Sequence, residues 1–343
     1  MLAAVLEGVR KMVLKEVPRP DPGSGEALVR VKACGICQTD YCAYTGARMN
    51  WNPGQIVGHE MSGIVEEVGH GVKNFKPGDE VIVSPASFCG ECEYCRSGLQ
   101  HYCPNGAVIG GDGFEKVLPG GLAEFVRAPV QTLHRKPRNI SFPAAAITEP
   151  LAGSYKGLIA YTQMTIGEDV VIIGAGAMGL LLTQIAHAAG AGNLILIDIA
   201  DYKLGYATKC GATHTINSRK EDPKKAVANI LPKGPDIVFE AAGALEAAEL
   251  TFALCRRGTR INMFGVIVPG TIPVSPARIH FSETRMDASF SVTPKVMIKA
   301  IGLMEKRLVD TEKIITHRFP LKEIQKALDI MGTVERIKIV VEP

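Results

Sequence analysis

Residues 170–179 read VVIIGAGAMG, an apolar run that breaks into glycines at Gly174, Gly176 and Gly179 and then opens a helix-length segment. The spacing is G-x-G-x-x-G, with Ala177 and Met178 between the last two glycines. Between a strand and a helix, the first glycine allows a tight turn and the second lets backbone approach a pyrophosphate. The third lets helix and strand pack closely, and the helix N-terminus offers unpaired N–H donors. The next apolar run, NLILID, ends in Asp198, 19 residues beyond Gly179. A carboxylate there accepts both adenosine-ribose hydroxyls and repels a 2′-phosphate, so the expected cofactor is NAD rather than NADP. The competing readings are a core turn that binds nothing, and Asp198 as a plain helix cap.

Outward from this turn, strand-like and helix-length segments alternate: ADYKLGYATKCGA, THTIN, PDIVFE, ALEAAELTFALCRR and GTRINMFG. This rhythm predicts an α/β doubly wound parallel sheet over residues 153–290. Residues 1–152 differ, because runs such as ALVRVKA, SGIVEEVG and DEVIVS are separated by turn clusters such as PGSGE and KPGD, which predicts a β-rich, barrel-like domain. Beyond Phe290 come the helical PKVMIKAIGLMEKR, the extended IITHRFPL, a helix near Ile324 to Met331 and a closing strand IKIVVEP. This tail, 291–343, is expected to rejoin the first domain.

The chain has 343 residues and 46% hydrophobic content, enough for two cores. Its 38 Lys and Arg against 35 Asp and Glu are spread along the sequence, which gives no footprint for nucleic acid. VVIIGAGAMGLLL, the longest apolar stretch considered, is 13 residues, too short to span a membrane. Glu7, Arg10 and Lys11 interrupt the N-terminal apolar residues, so no secretion signal and a cytoplasmic location are expected. In that reducing compartment nine cysteines argue for metal rather than a disulfide framework.

Cys89, Cys92, Cys95 and Cys103 lie within FCGECEYCRSGLQHYC, a spacing that lets four thiolates converge on one tetrahedral zinc. Four thiolates leave no open position, so such a site is structural. Iron–sulfur ligation and free surface thiols are the alternatives. A second, scattered set consists of Cys37, Thr39 and Asp40 in ACGICQTD, His59 and Glu60 in IVGHEMSG, and Glu149 in ITEPLAG. Cys37, His59 and a glutamate would give zinc three ligands and an open fourth position. By spacing alone the signal is weak: a strand end with a solvated glutamate and a buried cysteine acting as a small hydrophobe are the commoner readings.

In this order, these elements resemble the zinc-containing medium-chain dehydrogenases, which include alcohol, polyol and threonine dehydrogenases. The likeness runs nearly end to end, through CGICQTD, GHEMSGIVEEVG, KPGDEVIV, the four-cysteine lobe and IITHRFPLKEIQKALD. It implies a GroES-like catalytic domain completed by the tail, a Rossmann NAD-binding domain, and an active site in the cleft. Two zinc ions per chain are implied, one catalytic and one structural. Cys37 and His59 match catalytic zinc ligands, Glu60 a direct or exchangeable third, and Glu149 a carboxylate that alternates with it. Asp40 matches a partner that orients His59, Thr39 the hydroxyl that passes the substrate proton outward, and Lys203 a contact to the adenosine ribose. The implied reaction moves hydride between a secondary alcohol and NAD.

Some positions depart from the family pattern. Cys42 stands where a histidine commonly ends the proton relay. Ala86 replaces a histidine of threonine dehydrogenases, and Ser291 after Phe290 replaces an arginine of polyol dehydrogenases. The expected substrate is therefore a small secondary alcohol or hydroxylated metabolite, with threonine-type amino-alcohol oxidation as an alternative. A zinc-independent enone or quinone reductase would not need Cys37, His59 and Glu60. A non-catalytic nucleotide-binding or zinc-lobe interaction protein is the reading from another class. The resemblance also implies a homo-oligomer, a dimer or a homotetramer, with the MFGVIVPG edge near Phe264 as a candidate interface.

Overall fold

The computed structural model describes residues 1–47, 51–112, 115–268 and 270–343. The chain divides into two compact units, Met1–Glu149 with Ser291–Glu305 and Ile315–Pro343, and Pro150–Phe290 with Lys306–Ile314.

The second unit is built on six parallel strands. Their order is His214–Asn217, Leu194–Asp198, Val170–Ile173, Ile237–Glu240, Arg260–Met263 and Arg285–Ala288. A parallel sheet is covered on both faces, which is why these strands read as continuous apolar runs instead of alternating. All of Val170–Ile173 is buried, and Val171 pairs with Ile195 on one side and Val238 on the other. The helix Ala177–Ala188 buries Leu180, Leu181, Leu182 and Ile185. Fully buried Phe239 meets Phe264 edge-on with ring centroids 6.2 Å apart; burying one such side chain contributes about 1.5–3 kcal/mol. Strand order reverses beside Val170–Ile173, so the glycine turn that follows lies at the switch point where such sheets take ligands.

In the first unit, a seven-stranded sheet is centred on the long strand Glu26–Ile36, and a smaller sheet joins Lys11–Glu16, Leu2–Gly8 and Gln55–Ile56. The chain's last strand, Lys338–Glu342, lies antiparallel to Glu26–Ile36, with Ile339 opposite Ile36 and Val341 opposite Cys34. One core includes Val29, Met61 and Val83 together with Leu328, Ile339 and Val341 from the tail. Residues 306–314 depart from the expected tail, because they cluster with the second unit. There, Gln184 exchanges two hydrogen bonds with the Asp310 backbone, at 2.8 and 3.1 Å. A buried amide needs partners at both ends, and an irregular segment with free backbone groups supplies them. Among the described residues, no helix is long and apolar enough to cross a membrane.

Candidate active site

Cys37 follows the strand Glu26–Ile36 and caps the helix Gln38–Thr45, while Glu60 begins the neighbouring strand Glu60–Val68. The ladder pairs Gly35 with Glu60, so register alone brings the two sequence segments together. One donor atom each from Cys37, His59 and Glu60 falls within 4.8 Å of the others. Two glycines make room. A Cβ at Gly35 would lie 2.2 Å from Glu60 Oε2, and Gly58, at φ +98°, would drive a Cβ to 2.8 Å from Cys34 Sγ. Both glycines are therefore steric requirements of the cluster.

Asp40 binds the set from behind. Its fully buried carboxylate accepts the backbone N–H of Cys37 at 2.8 Å and of Gly58 at 3.1 Å, and lies 3.7 Å from His59 Nδ1. Gly110 O is also 3.4 Å from Nδ1, which leaves Nε2 as the ring nitrogen available to a metal. Burial opposes the imidazolium, but the charges of Asp40 and Cys37 outweigh it and hold His59 well above its ordinary pKa. Glu60 Oε1 pairs with Lys338 Nζ at 2.5 Å, whereas Glu60 Oε2 is buried with no hydrogen-bond partner among the described residues. An orphaned carboxylate oxygen beside a thiol and an imidazole is a donor set that fits a divalent cation such as zinc.

Thr39 Oγ1 lies 3.6 Å from Cys37 Sγ, and Cys42 is approached by the Gln38 amide at 3.8 Å. Glu149 stands outside the three-residue donor group. Burial pushes its carboxyl up to about 7, with His59 and Glu60 near enough for their charges to act on it. Tyr44 belongs to the core, its hydroxyl held by Gln325 at 2.9 Å, and Trp51 packs against the same core. Lys338 was not singled out by the sequence reading. The available signal is a lysine opening an otherwise apolar closing strand, where a buried ammonium requires a buried carboxylate.

The four lobe cysteines converge, with Sγ separations of 3.5 Å for Cys89–Cys103, 3.8 Å for Cys92–Cys103 and 3.9 Å for Cys89–Cys95. Tetrahedral zinc with Zn–S of about 2.3 Å requires sulfurs about 3.8 Å apart, so the set is sized for that ion and leaves it no open position. Backbone N–H donors from Glu91 and Cys92 lower the Cys89 thiol to about 6, while burial raises Cys95 to about 12. All nine cysteines are free of disulfides.

At the glycine turn, Gly174 has φ +107° and packs against the Ala241–Ala242 backbone. A Cβ at Gly179 would meet Gly174 O at 1.8 Å, whereas the position over Gly176 is open. Gly176 caps the helix that Ala177 and Met178 begin, with no side chain occupying its N-terminal donors. Asp198 is fixed by backbone N–H bonds from Ala175 at 2.7 Å and Ala200 at 2.9 Å, which turn its carboxylate toward the turn. Lys203 lies on the adjacent helix Asp201–Lys209 and makes no ion pair among the described residues.

Two family models match the chain, an alcohol dehydrogenase GroES-like domain over residues 23–138 and a zinc-binding dehydrogenase over 177–306. An L-threonine 3-dehydrogenase of Bacillus subtilis strain 168 is 32% identical, with 98% of this chain and 96% of that protein covered. The chain belongs to the zinc-containing medium-chain dehydrogenases. A sorbitol dehydrogenase of the same organism is 30% identical over 100% of this chain and 97% of its own. A zinc-binding dehydrogenase of Sinorhizobium meliloti 1021, solved with NADP, superposes with a TM-score of 0.92 at 31% identity, covering 100% of this chain and 99% of that one. As a medium-chain dehydrogenase the chain is an oxidoreductase that combines a GroES-like unit with a Rossmann unit, the class of zinc and nicotinamide cofactors.

Proposed function

We propose that this dehydrogenase oxidises a small secondary alcohol, a polyol or other hydroxylated metabolite, with NAD as hydride acceptor and two zinc ions per chain. The observation that carries the reading is the Cys37, His59 and Glu60 donor set with its orphaned Oε2, directly beside the Thr39 hydroxyl. Zinc, when bound, supplies a Lewis acid for the carbinol oxygen, and the nicotinamide supplies the hydride acceptor. Cys37 and His59 hold the catalytic ion with Glu60 as third ligand; Glu149 is the reserve carboxylate. Asp40 fixes the imidazole, and Lys338 balances Glu60. Thr39 Oγ1 takes the substrate's hydroxyl proton and passes it outward; with Cys42 in place of an imidazole, water completes the path. Cys89, Cys92, Cys95 and Cys103 hold the structural ion.

Gly174, Gly176, Ala177, Met178 and Gly179 form the pyrophosphate seat, and Lys203 contacts the adenosine ribose. Asp198 favours NAD because its charge faces the position of the 2′-hydroxyl. That the relative from Sinorhizobium meliloti was solved with NADP makes the cofactor comparison a direct test. The threonine dehydrogenase relative keeps an amino-alcohol substrate as the second reading. A homo-oligomer is part of the proposal, supported by the outer strand Arg285–Ala288 and by exposed Phe281, Met286, Val266 and Val268. A cytoplasmic location is supported by the disulfide-free cysteines.

The test is zinc content with turnover. The expected result is two zinc ions per chain in the native protein, one in Cys37→Ser, and NADH formation from secondary alcohols only in the former. A single zinc and no NAD binding would instead favour a non-catalytic interaction module.

A further inference from the structure

Three glycines from three separate segments of the first unit meet beside His59. Gly58 precedes it in the chain, Gly110 follows the short strand Val108–Ile109, and Gly120 follows Val117–Leu118 by two residues. A Cβ on Gly110 would lie 2.2 Å from Gly58 O and 2.5 Å from Gly120 Cα, and one on Gly120 would lie 2.5 Å from Gly58 O and 2.6 Å from Gly110 Cα. Three backbones therefore touch at a point where no side chain fits. The N–H groups of Gly120, Leu122 and Gly121 donate to Ile56 O at 2.8 Å, Val57 O at 3.0 Å and Gly58 O at 2.8 Å, which laces residues 56–58 to 120–122. Gly110 has φ +61°, and its carbonyl oxygen lies 3.4 Å from His59 Nδ1, nearer than the Asp40 oxygen at 3.7 Å. Gly58 N–H in turn donates to that same Asp40 oxygen at 3.1 Å. The crossing thus acts on His59 from two sides, through the residue before it and through an acceptor for its ring.

We propose that Gly110 is a positioning residue for the catalytic ion: packed bare against Gly58 and Gly120, it fixes where His59 stands and offers its carbonyl to Nδ1, leaving Nε2 for the metal. This rests on the zinc reading above and adds a determinant of ion affinity outside the ligand set. A side chain at Gly110 would force Gly58 back by about 1 Å to reach ordinary contact. Gly58 carries both the Asp40 bond and His59, so the imidazole and its carboxylate would be displaced together. Loss of such outer support costs about 10- to 100-fold in metal affinity.

Equilibrium dialysis of the full chain with zinc and a competing chelator reads this without turnover. Gly110→Ala is expected to weaken one of the two zinc sites by about 10- to 100-fold and to leave the other within about threefold. Placed in Cys37→Ser, which keeps only the lobe ion, the same change should have no effect, and this assigns the weakened site. Gly69→Ala is the control for a merely structural role. Gly69 lies beyond the far end of the strand that Glu60 begins, and a Cβ there would meet Gly23 O at 1.8 Å. That variant should lose stability in urea yet keep both zinc affinities. Should Gly110→Ala not fold, Gly120→Ala presses on the same Gly58 carbonyl without a left-handed backbone, and the same one-site loss is expected. Equal loss at both sites, unchanged affinity at both, or failure of both variants to fold would overturn the assignment while the functional proposal stands. A wild-type chain holding a single ion that Cys37→Ser retains would defeat the functional proposal itself, and the assignment with it.

Discussion

Replacing Lys338 with methionine keeps the apolar stem but removes the cation that, among the described residues, pairs with Glu60. The side chains of Lys338 and Glu60 are 5% and 1% exposed and 2.5 Å apart, and Lys338 Nζ also donates to Ile36 O at 3.0 Å. Burial opposes the ammonium, yet Glu60 and Cys37 keep its pKa raised, so the lysine stays charged at neutral pH. Breaking a buried pair from one side costs about 3–5 kcal/mol, because the surviving charge is left uncompensated. That is a large part of a typical domain stability of about 5–15 kcal/mol. A cation held by Glu60 Oε2 supplies the missing compensation, so the loss should be smaller with zinc than without it. Each 1.4 kcal/mol of difference appears as about tenfold tighter zinc binding in the variant. Urea unfolding of wild type and Lys338→Met, in chelator and in excess zinc, measures all four stabilities. The cysteine lobe gains the same zinc term in both proteins and cancels. Adding Glu60→Gln to Lys338→Met should restore much of the ion-free stability, since no lone charge remains. Equal destabilisation with and without zinc would refute the reasoning, because Glu60 would then not sense the ion.

In ion-free protein at neutral pH, iodoacetamide should modify Cys89 first, its thiol lowered to about 6 by backbone donors, and zinc should protect it; mass spectrometry of the labelled peptide reads this. Asp198→Asn should lower the ratio of kcat/KM for NAD over NADP by about 10-fold or more, the scale of a lost charge-assisted bond, and a native preference for NADP would contradict the role given to Asp198. His59 has a folded-state pKa above the unfolded value of about 6.5. Its contribution to ion-free stability is therefore full below that value and lost as pH rises through the folded pKa. Asp40→Asn should flatten this dependence in urea titrations across pH. Because zinc must displace the same proton, zinc retention should fall as pH is lowered, as equilibrium dialysis would show.

The parts of this site that could be read from sequence are those whose partners are close along the chain. The glycine turn needs only a strand, three linking residues and a helix, and its carboxylate ends the next strand. The lobe cysteines fall within fifteen positions, so loop geometry alone lets them meet. The Cys37, His59 and Glu60 group was harder to read, because its members meet through the ladder that places Gly35 against Glu60. Lys338 is 278 residues from Glu60. No local pattern marks it as more than a strand-edge cation. Residues 306–314 were misplaced for a related reason, since the partner that holds Asp310 is a single glutamine inside a distant helix.

Sequence by itself determined the family, the parallel α/β unit, the dinucleotide turn and the thiol cluster, because steric and coordination rules at short range allow few alternatives. Only tertiary structure decided which carboxylate groups with Cys37 and His59 and which base balances it. Those outcomes follow from strand register and burial. Register sets which side chains face each other across a sheet, and burial requires each charge brought there to find a counterpart.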